Sequence, residues 1–209
     1  MADLPLISWL TITRDRRAFI PGALANFTSQ TYPGPTELIV LDNGADRVAD
    51  LMPRDDPRVH YLTAPPGHYH LGELRNLTVT ASRGALLTWG DDDDYFGPER
   101  LAVQYEALAS VADRARTVCC FGGHVAVEVV PEGDRWIHEC EWWCSSVMCW
   151  REAFAPLRPV DISETVYWLM QREVLVLDRP DLFRRRIHQT NVWAHRIQLK
   201  TPGYHRSAA

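Results

Sequence analysis

Residues 84–98 read Gly-Ala-Leu-Leu-Thr-Trp-Gly-Asp-Asp-Asp-Asp-Tyr-Phe-Gly-Pro, an apolar run halted by a glycine and followed at once by four carboxylates. Ala85 to Trp89 predicts a short buried strand, because a continuous apolar run of this length has the size of a strand covered on both faces. Carboxylates about 5 Å apart repel by roughly 3 kcal/mol per pair at an effective dielectric near 20. A solvated loop relieves this by turning its charges outward. At the end of a core strand some of Asp91 to Asp94 are held against the sheet edge, where a divalent cation relieves it instead, and we adopt that reading. Oxygen-only ligands suit Mn²⁺ or Mg²⁺, which a site with few protein ligands commonly shares with phosphates.

Upstream, strands and helices alternate. Leu6 to Ile12 predicts a strand, and Arg17 to Gln30 a helix with Ile20, Ala23, Leu24 and Phe27 on one face and Pro21 in its first turn. Glu37 to Asp42 is a strand broken by Asn43-Gly44, which leaves a carboxylate at its C-terminal end. Arg58 to Thr63 adds a strand, Gly72 to Arg83 a helix, and Pro98 to Ala112 a helix opened by proline. The alternation predicts an α/β layered domain with a mixed, mostly parallel central sheet, whose ligands bind at the strand C-terminal ends. From Thr117 the chain turns to cysteine- and valine-rich strand material, with Pro131 to Asp134 closing a hairpin. No linker separates the halves, so 1–209 reads as one domain, with a ligand-binding half over about 1–112 and a second half over about 113–209.

The 209 residues carry a formal charge of −5, which gives no basic field for nucleic acid. The single lysine, Lys200, lies outside any glycine-rich loop, so a P-loop is excluded. Neither G-x-G-x-x-G nor G-x-S-x-G occurs, and His138-Glu139 lacks the second histidine of a zinc protease helix. The sequence shows no membrane span and no signal peptide, and five cysteines point to a reducing, cytoplasmic setting. His138, Cys140, Cys144 and Cys149 lack zinc-finger spacing and read as core groups, while His60, His68 and His70 read as solvated. Arg184 to Arg186 reads as a solvated face or an anion contact.

The blocks ISWLTITRDRRAFIPGALANFTSQTYPGPTELIVLDNGAD and LGELRNLTVTASRGALLTWGDDDDYFGPERL together resemble the family-2 inverting glycosyltransferases of the GT-A fold. The resemblance implies transfer of a sugar from a nucleoside-diphosphate donor, UDP-linked, to an acceptor that is a small molecule or peripheral glycan. It also leaves room for a homo-oligomer. Thr13 and Arg16 stand where the family ends its first strand, with Thr11 as a further donor contact or a plain strand residue. Asp42 is the surviving acid of a Val-Asp-Asp-Gly-Ser block, here with Asn43, and is implied to grip base or ribose. Arg75 corresponds to the arginine near the donor, and Asp91, Asp92 and Asp93 to the acidic motif, with Asp93 and Asp91 as metal ligands.

The second half resembles the family more loosely. CSSVMCWREAFAPL matches a strand and helix start, and ISETVYWLMQR a later helix in which Thr165 occupies the place of the catalytic-base aspartate. The base is then Glu164 or Asp161, and Glu164 is preferred because its extra methylene offsets the shift while Asp161 resembles a helix cap. His188 is implied beside the metal and diphosphate. Trp142 and Trp143 are acceptor contacts or core residues. Two rivals remain at this point: a nucleotidyltransferase, and a non-catalytic nucleotide-sugar-binding protein on a degenerate scaffold.

Overall fold

A computed structural model describes residues 3–65, 67–141, 143–160, 164–189 and 191, together with the backbone of 204–206. In chain order β1 (Ile7–Thr13), α1 (Ile20–Thr28), β2 (Thr36–Asp42), β3 (Val59–Thr63), α2 (Leu71–Ala81), β4 (Leu86–Trp89), β5 (Tyr95–Phe96) and α3 (Arg100–Ala109) form the first half. There follow β6 (Thr117–Phe121), β7 (Gly123–Val129), β8 (Asp134–Cys140), β9 (Met148–Trp150), α4 (Glu164–Leu169), β10 (Glu173–Leu177), β11 (Phe183–Ile187) and β12 (Tyr204–Arg206).

Seven strands make the central sheet in the order β10-β6-β9-β4-β1-β2-β3. All run parallel except β9, which lies antiparallel between β4 and β6. The predicted strands fall within one or two residues of those observed. The helix expected over 17–30 divides into a 3-10 turn, Arg17–Phe19, and α1, with Pro21 in the first helical turn. The helix expected over 98–112 begins later, at Arg100, and ends earlier, at Ala109. Ser82 turns extended after α2 and its hydroxyl donates to the Val79 carbonyl, which stops that helix short of Arg83.

A second sheet, β12-β8-β7-β11-β5, contains the hairpin foreseen around Pro131 to Asp134. One apolar cluster includes side chains of both sheets: Trp9, Leu38 and Leu86 from the central sheet meet Phe96, Val125 and Phe183 from the second. Among the described residues no helix is long and apolar enough to cross a membrane.

The start of the acidic loop is pinned by this core. The Cβ of any side chain at Gly90 would fall 2.2 Å from Trp9 Nε1, and Trp9 is fully buried. Gly90→Ala should therefore cost about 1–3 kcal/mol of stability, readable as a lower urea midpoint at unchanged slope. A variant as stable as the parent would show that Trp9 yields.

Candidate active site

The sheet order explains why residues far apart in sequence converge. β4, β1 and β2 are parallel neighbours, so their C-terminal ends lie side by side and deliver Asp91 to Asp94, Thr13 to Arg16, and Asp42 to one edge.

The four aspartates are held inward, not splayed into solvent. Asp92, Asp93 and Asp94 are buried, each facing a cation. Arg16 Nη1 donates to Asp92 Oδ1 at 3.0 Å and to Asp93 Oδ2 at 2.8 Å. Arg185 Nη1 donates to Asp94 Oδ2 at 3.1 Å and lies 3.7 Å from Asp91 Oδ2. Arg75, which a helix-surface reading would leave in solvent, is buried. Its Nη2 reaches Asp91 Oδ1 at 3.2 Å and its Nε donates to Glu164 Oε1 at 2.9 Å. One guanidinium thus ties the preferred base to the first aspartate.

Asp93 Oδ2 also lies 3.0 Å from His188 Nε2 and accepts from Asn191 Nδ2 at 3.2 Å. His188 is buried, with its ring 4.5 Å from that of Phe19, so the predicted metal neighbour sits behind Asp93 as its hydrogen-bond partner. In contrast, Asp93 Oδ1 is buried without any partner. Carboxylate oxygens of Asp91, Asp93 and Asp94 lie within 4.8 Å of one another, the only such group among the described residues. An all-oxygen trio containing an orphaned buried oxygen fits a hard divalent cation. Asp94 was not singled out in the sequence, although it closes the acidic run.

Burial dominates the protonation of two of these groups. It pushes the Asp94 carboxyl up to about 7 and the Asp92 carboxyl up to about 6, with the neighbouring Asp93 charge adding to both. At Asp93 burial pulls upward too, but the hydrogen bond from His188 and the charges of Arg185 and Arg16 outweigh it, and the net shift is downward. A carboxyl whose folded pKa is raised costs stability progressively from about pH 4 up to that pKa, and by a constant amount above it. Asp92→Asn, in metal-free buffer, should therefore gain about 3 kcal/mol at pH 8 and nothing near pH 4. Equal effects at both pH values would mean that Asp92 is not held against its charge.

The other predicted residues fall as follows. Thr11 Oγ1 donates to the Gly90 carbonyl at 2.9 Å, acting as a strut between β1 and the acidic loop. Thr13 is buried, its hydroxyl beside the Asp92 carboxylate, whose charged form it favours. Asp42 is fully buried and already accepts from Gly44 N, Val48 N and Tyr61 Oη at 2.7–3.0 Å, so it shapes the 43–48 loop. That loop is also held by Asp15, whose φ of 53° lets its Oδ1 accept from Ala45 N and Asp46 N. Trp143 packs against Phe183 and lies beside Arg185. Trp142 and Asp161 lie outside the described residues.

Next to Asp42, a cleft of about 360 Å³ is lined by Arg14, Asn43, Gly67, His68, Tyr69 and His70. Of the three histidines read as solvated, His68 and His70 thus border a cleft, and His70 also caps α2 in a capping box with Glu73. Arg185 was legible in principle: in Phe183-Arg-Arg-Arg-Ile187 the two-residue period of a strand puts it on the face of Phe183 and Ile187, and all three are buried. The five cysteines are free thiols, three of them buried in the core.

A parallel sheet with one reversed strand, a smaller second sheet and an acidic loop at the central strand's C-terminal end define the GT-A fold. The chain belongs to glycosyl transferase family 2, whose model matches residues 8–175. Among solved structures it is similar to S. aureus TarS 1–349, with a TM-score of 0.65 at 13% identity over 86% of this chain and 60% of that one. It is also similar to the same protein in complex with UDP (TM-score 0.65, 15% identity, 87% and 60%). For the complex with UDP-GlcNAc the values are 0.64, 15%, 88% and 59%. The chain therefore spans about three-fifths of that 1–349 fragment and 36% of the longer TarS chain, and at this identity the likeness concerns the fold. A search of curated proteins finds no match.

Proposed function

We propose that this chain is a divalent-cation-dependent inverting glycosyltransferase using a nucleoside-diphosphate sugar. One observation carries the reading: the Asp91–Asp93–Asp94 trio, with its orphaned Asp93 oxygen, lies at the sheet edge and is joined through Arg75 to a buried glutamate. The UDP and UDP-GlcNAc complexes of TarS support a UDP-linked donor. In this reading the two halves, about 1–112 and 113–209, act as one unit.

Asp91, Asp93 and Asp94 would hold Mn²⁺ or Mg²⁺, which supplies Lewis-acid neutralisation of the charge that develops on the leaving diphosphate. Arg16, whose side chain is 18% exposed, can extend the same stabilisation to a phosphate oxygen, since a guanidinium matches its geometry. Burial strengthens both effects. The cleft beside Asp42 is the place for the nucleoside, with Asp42 acting on it directly or through the loop it shapes, and with Tyr69 and His68 offering faces for stacking.

Glu164 takes the acceptor's proton. Its Oε1 is engaged by Arg75 Nε and by Thr165 Oγ1 at 3.0 Å, which orients the carboxylate and assigns the proton to Oε2. The acceptor oxygen or nitrogen then bonds to the anomeric carbon as the bond to the diphosphate breaks, in one in-line displacement with inversion. Trp142 and Trp143 remain our acceptor contacts, for a small molecule or peripheral glycan.

Incubation with a panel of nucleotide sugars and Mn²⁺ tests the reading. Release of UDP from one donor, abolished by chelator, is expected. Tight UDP-sugar binding without turnover on any acceptor would instead favour a non-catalytic binding protein, a reading that Thr165 in the base's place supports.

A further inference from the structure

Against the end of β4, which leads into the acidic loop, lies a cation that the proposed reaction does not use. Arg100, the first residue of α3, is wholly buried. Its guanidinium packs against the edge-to-face pair Trp9 and Phe96, 4.5 and 3.9 Å from their ring centroids. Among the described residues no carboxylate lies within 4.0 Å of it, and its Nη1 has no partner. A buried charge without an ion-pair partner is destabilising, and an apolar side chain would serve the packing better. The aromatic faces recover part of that cost.

The guanidinium's remaining contacts are directional. Nη2 donates to Thr88 Oγ1 at 2.8 Å and to the Trp89 carbonyl at 2.6 Å. Nε donates to Gln104 Oε1 at 3.1 Å, and Gln104 in turn donates to the Ser146 carbonyl. The first two grip the last residues of β4, two positions before Asp91. Burial drives the guanidinium's pKa down to about 9, and the charges that oppose this most strongly are those of Asp91 and Asp94. The guanidinium therefore remains a cation at neutral pH.

We propose that Arg100 is a positioning residue for the Asp91–Asp94 loop, fixing the end of β4 through its hydrogen bonds to Thr88 and the Trp89 carbonyl, so that cation binding depends on it. The inference rests on the functional reading above. Its test is the affinity for Mn²⁺ alone, by calorimetry and by the spin resonance of bound Mn²⁺, together with thermal midpoints. Three variants are compared: Arg100→Met, which keeps length but loses donors and charge; Arg100→Lys, which keeps charge but loses the fork; and Leu108→Ala, which opens a cavity on the same helix.

Arg100→Met should weaken Mn²⁺ binding by about 10- to 100-fold, the loss usual when an outer partner of a metal ligand is removed. Arg100→Lys should recover part of that affinity, and Leu108→Ala should lower the midpoint while leaving affinity within about twofold. Unchanged affinity in a folded Arg100→Met, or an equal loss in Leu108→Ala, overturns the inference. If Arg100→Met fails to fold, wild-type affinity in Arg100→Lys overturns it. Wild-type protein that takes up no Mn²⁺ refutes the functional reading itself, and this inference with it.

Discussion

Asp93→Asn should weaken Mn²⁺ binding, and with it UDP-sugar binding, by more than about 100-fold, a larger loss than removal of an outer partner brings. The Asp93 carboxylate has two distinct ends. Oδ2 is crowded by Arg16, His188 and Asn191, whereas Oδ1 is buried without a partner. Asparagine retains an acceptor for the crowded end but removes the charge and gives a cation one poor ligand in place of a carboxylate. Fold disruption should be small, which separates this variant from Asp93→Ala, where Arg16 and His188 both lose a partner. Calorimetry with Mn²⁺ and UDP measures the loss. A folded Asp93→Asn that binds both as wild type does would remove Asp93 from the metal site.

Glu164→Gln should leave donor affinity within about twofold and reduce turnover by roughly 10² to 10⁴. The near-isosteric amide can still accept from Arg75 and Thr165 through Oε1, so the site's framework survives. What disappears is an oxygen able to take a proton. The rival is Asp161, and Asp161→Asn is the paired control. Intact turnover in Glu164→Gln with collapse in Asp161→Asn would transfer the role, and loss of donor affinity in Glu164→Gln would make that residue a strut for Arg75 instead of a base.

Local signals in the sequence reached the central sheet well and the second sheet poorly. β1, β2 and β4 are apolar runs with clear breaks in an α/β alternation, and β1 and β2 also pair as sequence neighbours, whereas β4 pairs with β1 and β9. β5 is only two residues long, and β11 pairs parallel with β7 across more than 50 positions, so no short-range pattern announces where either strand pairs. In the site, the acidic run was conspicuous because four like charges after a buried strand demand an explanation.

The arginines that neutralise those charges were harder to read. A helical or strand arginine is ordinarily solvated, yet Arg75, Arg100 and Arg185 are all buried because each meets a group remote in sequence: Glu164, the end of β4, and Asp94. Only for Arg185 did a local period point inward. Asp42 shows the converse. Its place at a strand end was legible, but the backbone amides of residues 44 and 48 that take up its oxygens depend on how the following loop folds back.

Titration of UDP-GlcNAc into the protein, once with saturating Mn²⁺ and once with chelator, tests the central claim most directly. The account predicts saturable binding with the metal, loss of at least about 100-fold without it, and no rescue by metal in Asp93→Asn. Binding of equal strength in the two titrations would contradict it.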